Sequence, residues 1–233
     1  MRRAIGLSLA LIVLSNSITL LIYLTGVDRQ AVYFVWAVVV LAAVSWWARR
    51  YAKLGGEELG LHGKQWKRSA VSGMVIGCLL VIPSLAFLAF PVLLAEPARY
   101  REIQDLSRIG LLWRLGVELT IATALTEEIL FRGILQALFK RALKATGALV
   151  ATSIIFALWH LASNALTLSQ NAVVLPFIPS GWAQVFGYLG SLVAVGIGGF
   201  ILSTLRERTN HLAASIVAHW VSVAAITVLV YAT

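Results

Sequence analysis

Apolar runs of roughly span length, closed at their ends by basic or polar residues, dominate the pattern along the chain. A helix needs about 20 mostly apolar residues to cross a hydrocarbon core. Seven segments meet that requirement: approximately Ala4 to Leu24, Ala31 to Ala48, Ala70 to Ala95, Leu115 to Gln136, Thr146 to Asn164, Trp182 to Thr204 and Leu212 to Tyr231. Helix is the predicted form because an unpaired backbone amide in lipid costs several kcal/mol. The fold class is therefore all-α, a polytopic transmembrane helix bundle of about seven spans. No internal repeat or low-complexity tract interrupts it, so residues 1–233 read as a single integral membrane domain.

One segment breaks the pattern. From Glu96 to Arg114, Ile103, Leu106, Gly110 and Trp113 recur at helical spacing with charges between them. That predicts an interfacial helix lying on the membrane surface. An alternative splits the third segment at Pro83 and Pro91 into a re-entrant pair of half-helices. The first apolar run, after Arg2 and Arg3, is longer than the core of a signal peptide and lacks a small-residue cleavage site, so it reads as a retained span.

Composition agrees with lipid as the solvent. Of 233 residues, 60% are hydrophobic and only 12% charged, and mean hydropathy is +0.87. Soluble domains carry about 25% charge, and this chain has too little to coat a globular surface. The net charge of +9 suggests nucleic acid, but the basic residues cluster at the ends of apolar runs, the signature of membrane topology. No nucleic-acid partner is implied. With the N-terminus in the cytoplasm, the inner segments hold Arg2, Arg3, Arg49, Arg50, Lys53, Lys64, Lys67, Arg68, Lys140, Arg141, Lys144, Arg206 and Arg208. The outer segments hold only Arg29, Arg99, Arg101, Arg108 and Arg114. The single cysteine, Cys78, allows no disulfide within the chain.

Ionisable residues inside spans are expensive and mark function by default. Glu127, Glu128 and Arg132 lie in the fourth segment, His160 in the fifth and His219 in the seventh. At 1.5 Å per residue, Glu127 sits about 20 Å from the inner charged belt, His160 about 24 Å and His219 about 17 Å. Three helices thus carry a polar residue to a similar depth. Glu128 and Arg132, at i and i+4 with the acid first, have the favourable orientation for a same-face ion pair. Glu127 is turned about 100° away, free to face the two histidines. A buried carboxylate beside an imidazole can activate water, and a second imidazole can donate to a developing oxyanion.

Thr126 to Gly133 reads EExxxR with an FRG ending, and Phe156 to His160 reads FxxxH. A late membrane histidine, His219, follows Glu207-Arg208-Thr209-Asn210. In this order the motifs resemble the CPBP group, the CAAX-protease and bacteriocin-processing intramembrane peptidases. The resemblance covers about Leu115 to Val223, within a motif-bearing core of about residues 115–231. It implies a glutamic endopeptidase acting on a membrane-associated protein or peptide, without metal or other cofactor, in a bacterial or archaeal plasma membrane. Glu127 would be the base, His160 would help hold the water, His219 would serve the oxyanion hole, and Glu128 and Arg132 would brace the site. The family often shows HxxxN in its last motif, where this chain has Val223. Asn164, four residues after His160, is the expected source of the missing amide, and Ser222 is the other candidate.

Two other readings remain open. Glu127, His160 and His219 also form a two-His, one-carboxylate set of the kind zinc hydrolases use, although HExxH is absent. The protein is alternatively an inactive family member acting as a membrane scaffold, which Val223 favours. Glu118 reads as structural, His211 as interfacial and His62 as solvated.

Overall fold

A computed structural model describes residues 1–27, 29–89, 101–169 and 178–232. All regular structure among them is helical. The helices are α1 (Arg2–Thr25), α2 (Arg29–Arg50), α3 (Trp66–Ala89), α4 (Arg101–Gln104), α5 (Arg108–Lys140), α6 (Ala145–Trp159), α7 (Leu161–Ser169), α8 (Ser180–Thr209) and α9 (Leu212–Ala232). Six are long and apolar enough to cross a bilayer, and α6 with α7 forms a seventh span bent by 45°. The chain is a polytopic helical membrane protein.

Two sequence expectations change. The surface helix is not a separate element over its described part: residues 101–104 form one turn, and residues 108–113 run directly into the fourth span. Ser107 starts that helix, its Oγ accepting the Gly110 N–H at 3.0 Å, so the span begins earlier than apolarity alone suggests. Glu96 to Tyr100 lie outside the described residues. The fifth span, read as continuous from Thr146 to Asn164, breaks at His160. The half-helix alternative for the third span does not hold at Pro83, because α3 continues through that proline to Ala89. Pro91 lies outside the described residues.

Packing follows small residues, as expected where lipid removes the hydrophobic drive between helices. The helix α3 lies along α9 at Gly73 and Gly77. A Cβ at Gly73 would stand 2.3 Å from the Ala214 carbonyl oxygen, and one at Gly77 2.8 Å from that of Ala218. Only glycine permits this approach, which fixes the helix that carries His219. On the other side α6 packs on α8, and α1 lies against both halves of the bent span. The core between them holds Leu11, Leu130, Phe131, Ile134, Leu135, Phe156 and Trp159.

The loop between α2 and α3 is seated by polar contacts. Arg141 grips Glu58 through Nε to Oε1 at 2.7 Å and Nη2 to Oε2 at 2.8 Å, and donates to the Ala52 and Lys53 carbonyls. Gly60, at φ +70° and pressed against the Arg206 guanidinium, accepts the Leu212 N–H at 2.8 Å. The loop is thereby tied to the α8–α9 turn.

Candidate active site

The fourth span leaves α-helical register twice. Residues Arg114–Leu125 and Ile129–Leu135 are π-helical, with one α-turn, Thr126–Glu128, between them. Threonine hydroxyls fit the wider register: Thr126 donates to the Ile121 carbonyl at 2.7 Å and Thr120 to that of Leu115. Such turns occur often at functional sites. Here they frame Glu127 and Glu128.

Glu128 and Arg132 are both fully buried and paired at 2.9 Å. Two buried charges are tolerable only when their remaining groups are also satisfied. Arg132 donates a second bond to the Gly199 carbonyl at 3.1 Å, and its guanidinium lies 4.1 Å from the Phe156 ring centroid. Gly199 must be small, since a Cβ there would meet Phe156 at 3.0 Å and Arg132 at 3.2 Å. The same Glu128 oxygen lies 2.9 Å from His219 Nδ1. A carboxylate only accepts, so Nδ1 carries the hydrogen and Nε2 is turned toward Glu127.

His160 is oriented from the other side. Its Nδ1 lies 2.8 Å from the Phe156 carbonyl, which again only accepts, leaving the Nε2 lone pair to face Glu127. The distances from Glu127 Oε2 are 3.7 Å to His160 Nε2 and 4.0 Å to His219 Nε2. Both exceed direct hydrogen bonding. That oxygen is buried without a hydrogen-bond partner among the described residues. One carboxylate oxygen and two imidazole nitrogens therefore converge from α5, the bend between α6 and α7, and α9.

The bend at His160 is built by the first span. His160 has φ −95° and ψ 9°, a sparsely populated conformation that interrupts the helical ladder. Ser15 Oγ donates to the Trp159 carbonyl at 3.0 Å, and Asn16 Nδ2 to the Leu158 carbonyl at 3.0 Å. Asn16 Oδ1 accepts the Ala162 N–H at 2.7 Å. The sequence reading missed Ser15, Asn16 and the hub position of Phe156. The signal for the first two was a polar pair in the middle of an apolar run.

Asn164 lies beyond the bend, and its Nδ2 donates to Ser191 Oγ at 3.1 Å. Ser222 Oγ donates to the His219 carbonyl at 2.8 Å. A cavity of about 360 Å³ with a mixed polar and apolar lining reaches His160 from the α1–α2 turn. Ser15, Thr19, Tyr23, Thr123, Ser163 and the ion-paired Arg114 and Glu118 line it. Among the described residues no group of three or more His, Cys, Asp or Glu is arranged to hold a metal ion.

Residues 109–225 match a protein-family model described as type II CAAX prenyl endopeptidase Rce1-like. The match takes in Glu127, Glu128, Arg132, His160, Asn164 and His219. No curated protein and no solved structure matches the chain.

Proposed function

The chain belongs to the Rce1-like family of type II CAAX prenyl endopeptidases, and we propose that it cleaves a peptide bond of a membrane-associated protein or peptide with water activated by Glu127 and His160. The observation that carries this reading is the convergence on Glu127 Oε2 of His160 Nε2 at 3.7 Å and His219 Nε2 at 4.0 Å. That spacing suits one water molecule between the three groups.

In the proposed reaction the water donates one hydrogen to Glu127 and one to the His160 Nε2 lone pair. Its oxygen lone pair then points at the scissile carbonyl. As the water oxygen bonds the carbonyl carbon, Glu127 takes a proton and negative charge develops on the carbonyl oxygen. His219 with hydrogens on both nitrogens makes the buried set electrically neutral: two carboxylates against Arg132 and one imidazolium. Its Nδ1–H is held by Glu128 and its Nε2–H is left for the oxyanion. The carbon–nitrogen bond breaks as Glu127 returns its proton to the leaving amine. Glu128 and Arg132 hold His219 and the helices around it. Asn164 is a supporting residue that ties α7 to α8 through Ser191. The cavity is the route for water and substrate to His160.

The test is cleavage of a prenylated CAAX peptide by the purified full chain in a lipid bilayer. Wild type is expected to cleave, with Glu127→Gln and His160→Ala each slower by about 10²–10⁴-fold, the usual worth of a positioned acid–base group. Asn164→Ala should lower the rate less. Normal cleavage by either of the first two variants rejects the mechanism. Cleavage abolished by a chelator and restored by zinc replaces it with metal-bound water. A wild-type protein that cleaves no peptide under any condition leaves the scaffold reading.

A further inference from the structure

At the inner end of the bundle, away from the Glu127 cluster, a second concave site of about 340 Å³ is lined by Gln65, Arg68, Ser69, Ser72, Arg208 and Thr209. We propose that this pocket binds the phosphate of an anionic lipid headgroup, held between the guanidinium groups of Arg68 and Arg208.

The two arginines come from different helices, Arg68 from the start of α3 and Arg208 from the end of α8. Each is exposed, and among the described residues neither guanidinium has an acidic partner. Their neighbours are treated differently. Glu207 is taken by Lys140 at 2.7 Å and Arg206 at 3.6 Å, while Arg206 also donates to the Glu58 carbonyl. Two like charges facing one concavity repel unless an anion lies between them. Planar guanidinium groups recognise phosphate oxygens in pairs. The Ser69 hydroxyl and the Gln65 amide supply further donors, while Ser72 Oγ donates to the Arg68 carbonyl at 3.2 Å. The first turn of α3, a 24-residue helix, adds its positive dipole end.

Position argues for a lipid as the source of the phosphate. The pocket lies where α3 leaves its apolar span, next to Trp66 and Lys67, whose ammonium sits 5.7 Å from the indole centroid. Tryptophan at such an edge marks headgroup depth. Basic residues there attract anionic lipid. A headgroup in the pocket would reinforce the slight direct contact between α3, which packs mainly on α9, and α8, which packs mainly on α6.

The experiment uses the full chain in an uncharged detergent, titrated with short-chain phosphatidylglycerol, short-chain phosphatidylcholine or inorganic phosphate, with thermal melting as the readout. Saturable stabilisation by phosphatidylglycerol is expected, with little from the other two. The double variant Arg68→Gln, Arg208→Gln should bind roughly tenfold more weakly or worse, from loss of two charge-assisted contacts. Arg68→Lys, Arg208→Lys should keep part of the affinity, which separates lost binding from lost folding. A control variant, Lys64→Gln, Lys67→Gln, should bind like wild type. Equal weakening by the lysine control overturns the proposal in favour of a diffuse basic belt. Equal binding of phosphatidylcholine, or the absence of saturation, also overturns it. Inorganic phosphate that saturates as tightly as the lipid overturns the lipid assignment.

Discussion

Asn16 of the first span bonds the backbone of Ala162 across the break in the fifth, its Oδ1 accepting the Ala162 N–H at 2.7 Å while its Nδ2 reaches the Leu158 carbonyl at 3.0 Å. One side chain thus satisfies backbone groups on both sides of His160. Without it, the conformation that turns His160 toward Glu127 leaves those groups unpaired in hydrocarbon.

The first prediction follows from that relationship. Asn16→Ala strands a buried donor and a buried acceptor, at about 1–3 kcal/mol each. The melting temperature should fall, and peptide cleavage should fall further as His160 loses its orientation. Asn16→Asp keeps the acceptor for Ala162 but sets a carboxylate against the Leu158 and Ile12 carbonyls, so it should be no more stable than alanine. Parallel thermal melts and kcat/KM values check this. Unchanged cleavage by Asn16→Ala would show that the bend holds itself.

Much of this architecture was legible in the sequence. Seven apolar segments correspond to the six long helices and the bent pair, because segment length and the cost of unpaired amides leave few alternatives. Comparable depth of Glu127, His160 and His219 anticipated their meeting. The break at His160 was not legible, since no proline or glycine marks it and the compensating bonds come from residues 15 and 16. Nor was the straight run from Arg108 into the fourth span. Hydropathy reads Arg108 and Arg114 as loop charges, whereas Arg114 is paired with Glu118 one turn on. Spacing placed Arg132 beside Glu128 but gave no sign of its reach to Gly199 or Phe156.

That reach sets the second prediction. Arg132→Ala leaves Glu128 with His219 as its one charged partner and the buried set one negative charge in excess, and breaking a buried pair costs about 3–5 kcal/mol. The variant should be poorly folded or much less thermostable. Replacing both partners, Glu128→Leu with Arg132→Met, removes the stranded charge and should recover much of the stability. Cleavage should stay lost, because His219 Nδ1 no longer has its acceptor. Recovery of both stability and cleavage by the double variant would deny Glu128 any part in positioning His219.

Gly199 gives a third, graded prediction. A Cβ at 3.0 Å from Phe156 needs the ring to move. The ring is held by Phe131, with centroids 5.0 Å apart, and by the Arg132 guanidinium. Gly199→Ala should therefore cost about 1–3 kcal/mol as overpacking, and Gly199→Val more. The side chain crowds Phe156, whose carbonyl holds His160, so cleavage should decline in the same order. A Gly199→Ala protein with wild-type melting temperature and rate would mean that the contact relaxes freely.

The last prediction concerns pH and lies outside the membrane. The Arg141 guanidinium, bonded to both carboxylate oxygens, holds the Glu58 carboxyl below its ordinary value. A carboxylate whose folded pKa is depressed stabilises the fold above its unfolded value, about 4.3. That contribution is lost as pH falls through the folded value. The α2–α3 loop, residues 51–63, should therefore stay seated at neutral and mildly acidic pH and loosen only below about pH 4. Both side chains are partly exposed, 39% and 41%, so solvent screening limits the effect to about 1 kcal/mol. Hydrogen exchange of that loop across an acid titration is the measurement. Wild type should gain exchange on acidification, while Glu58→Gln should exchange faster at neutral pH and show a much smaller pH dependence. Identical profiles for the two proteins would mean that the bonds to the Gly60 and Glu58 carbonyls, from the Leu212 N–H and Arg206, hold the loop without the ion pair.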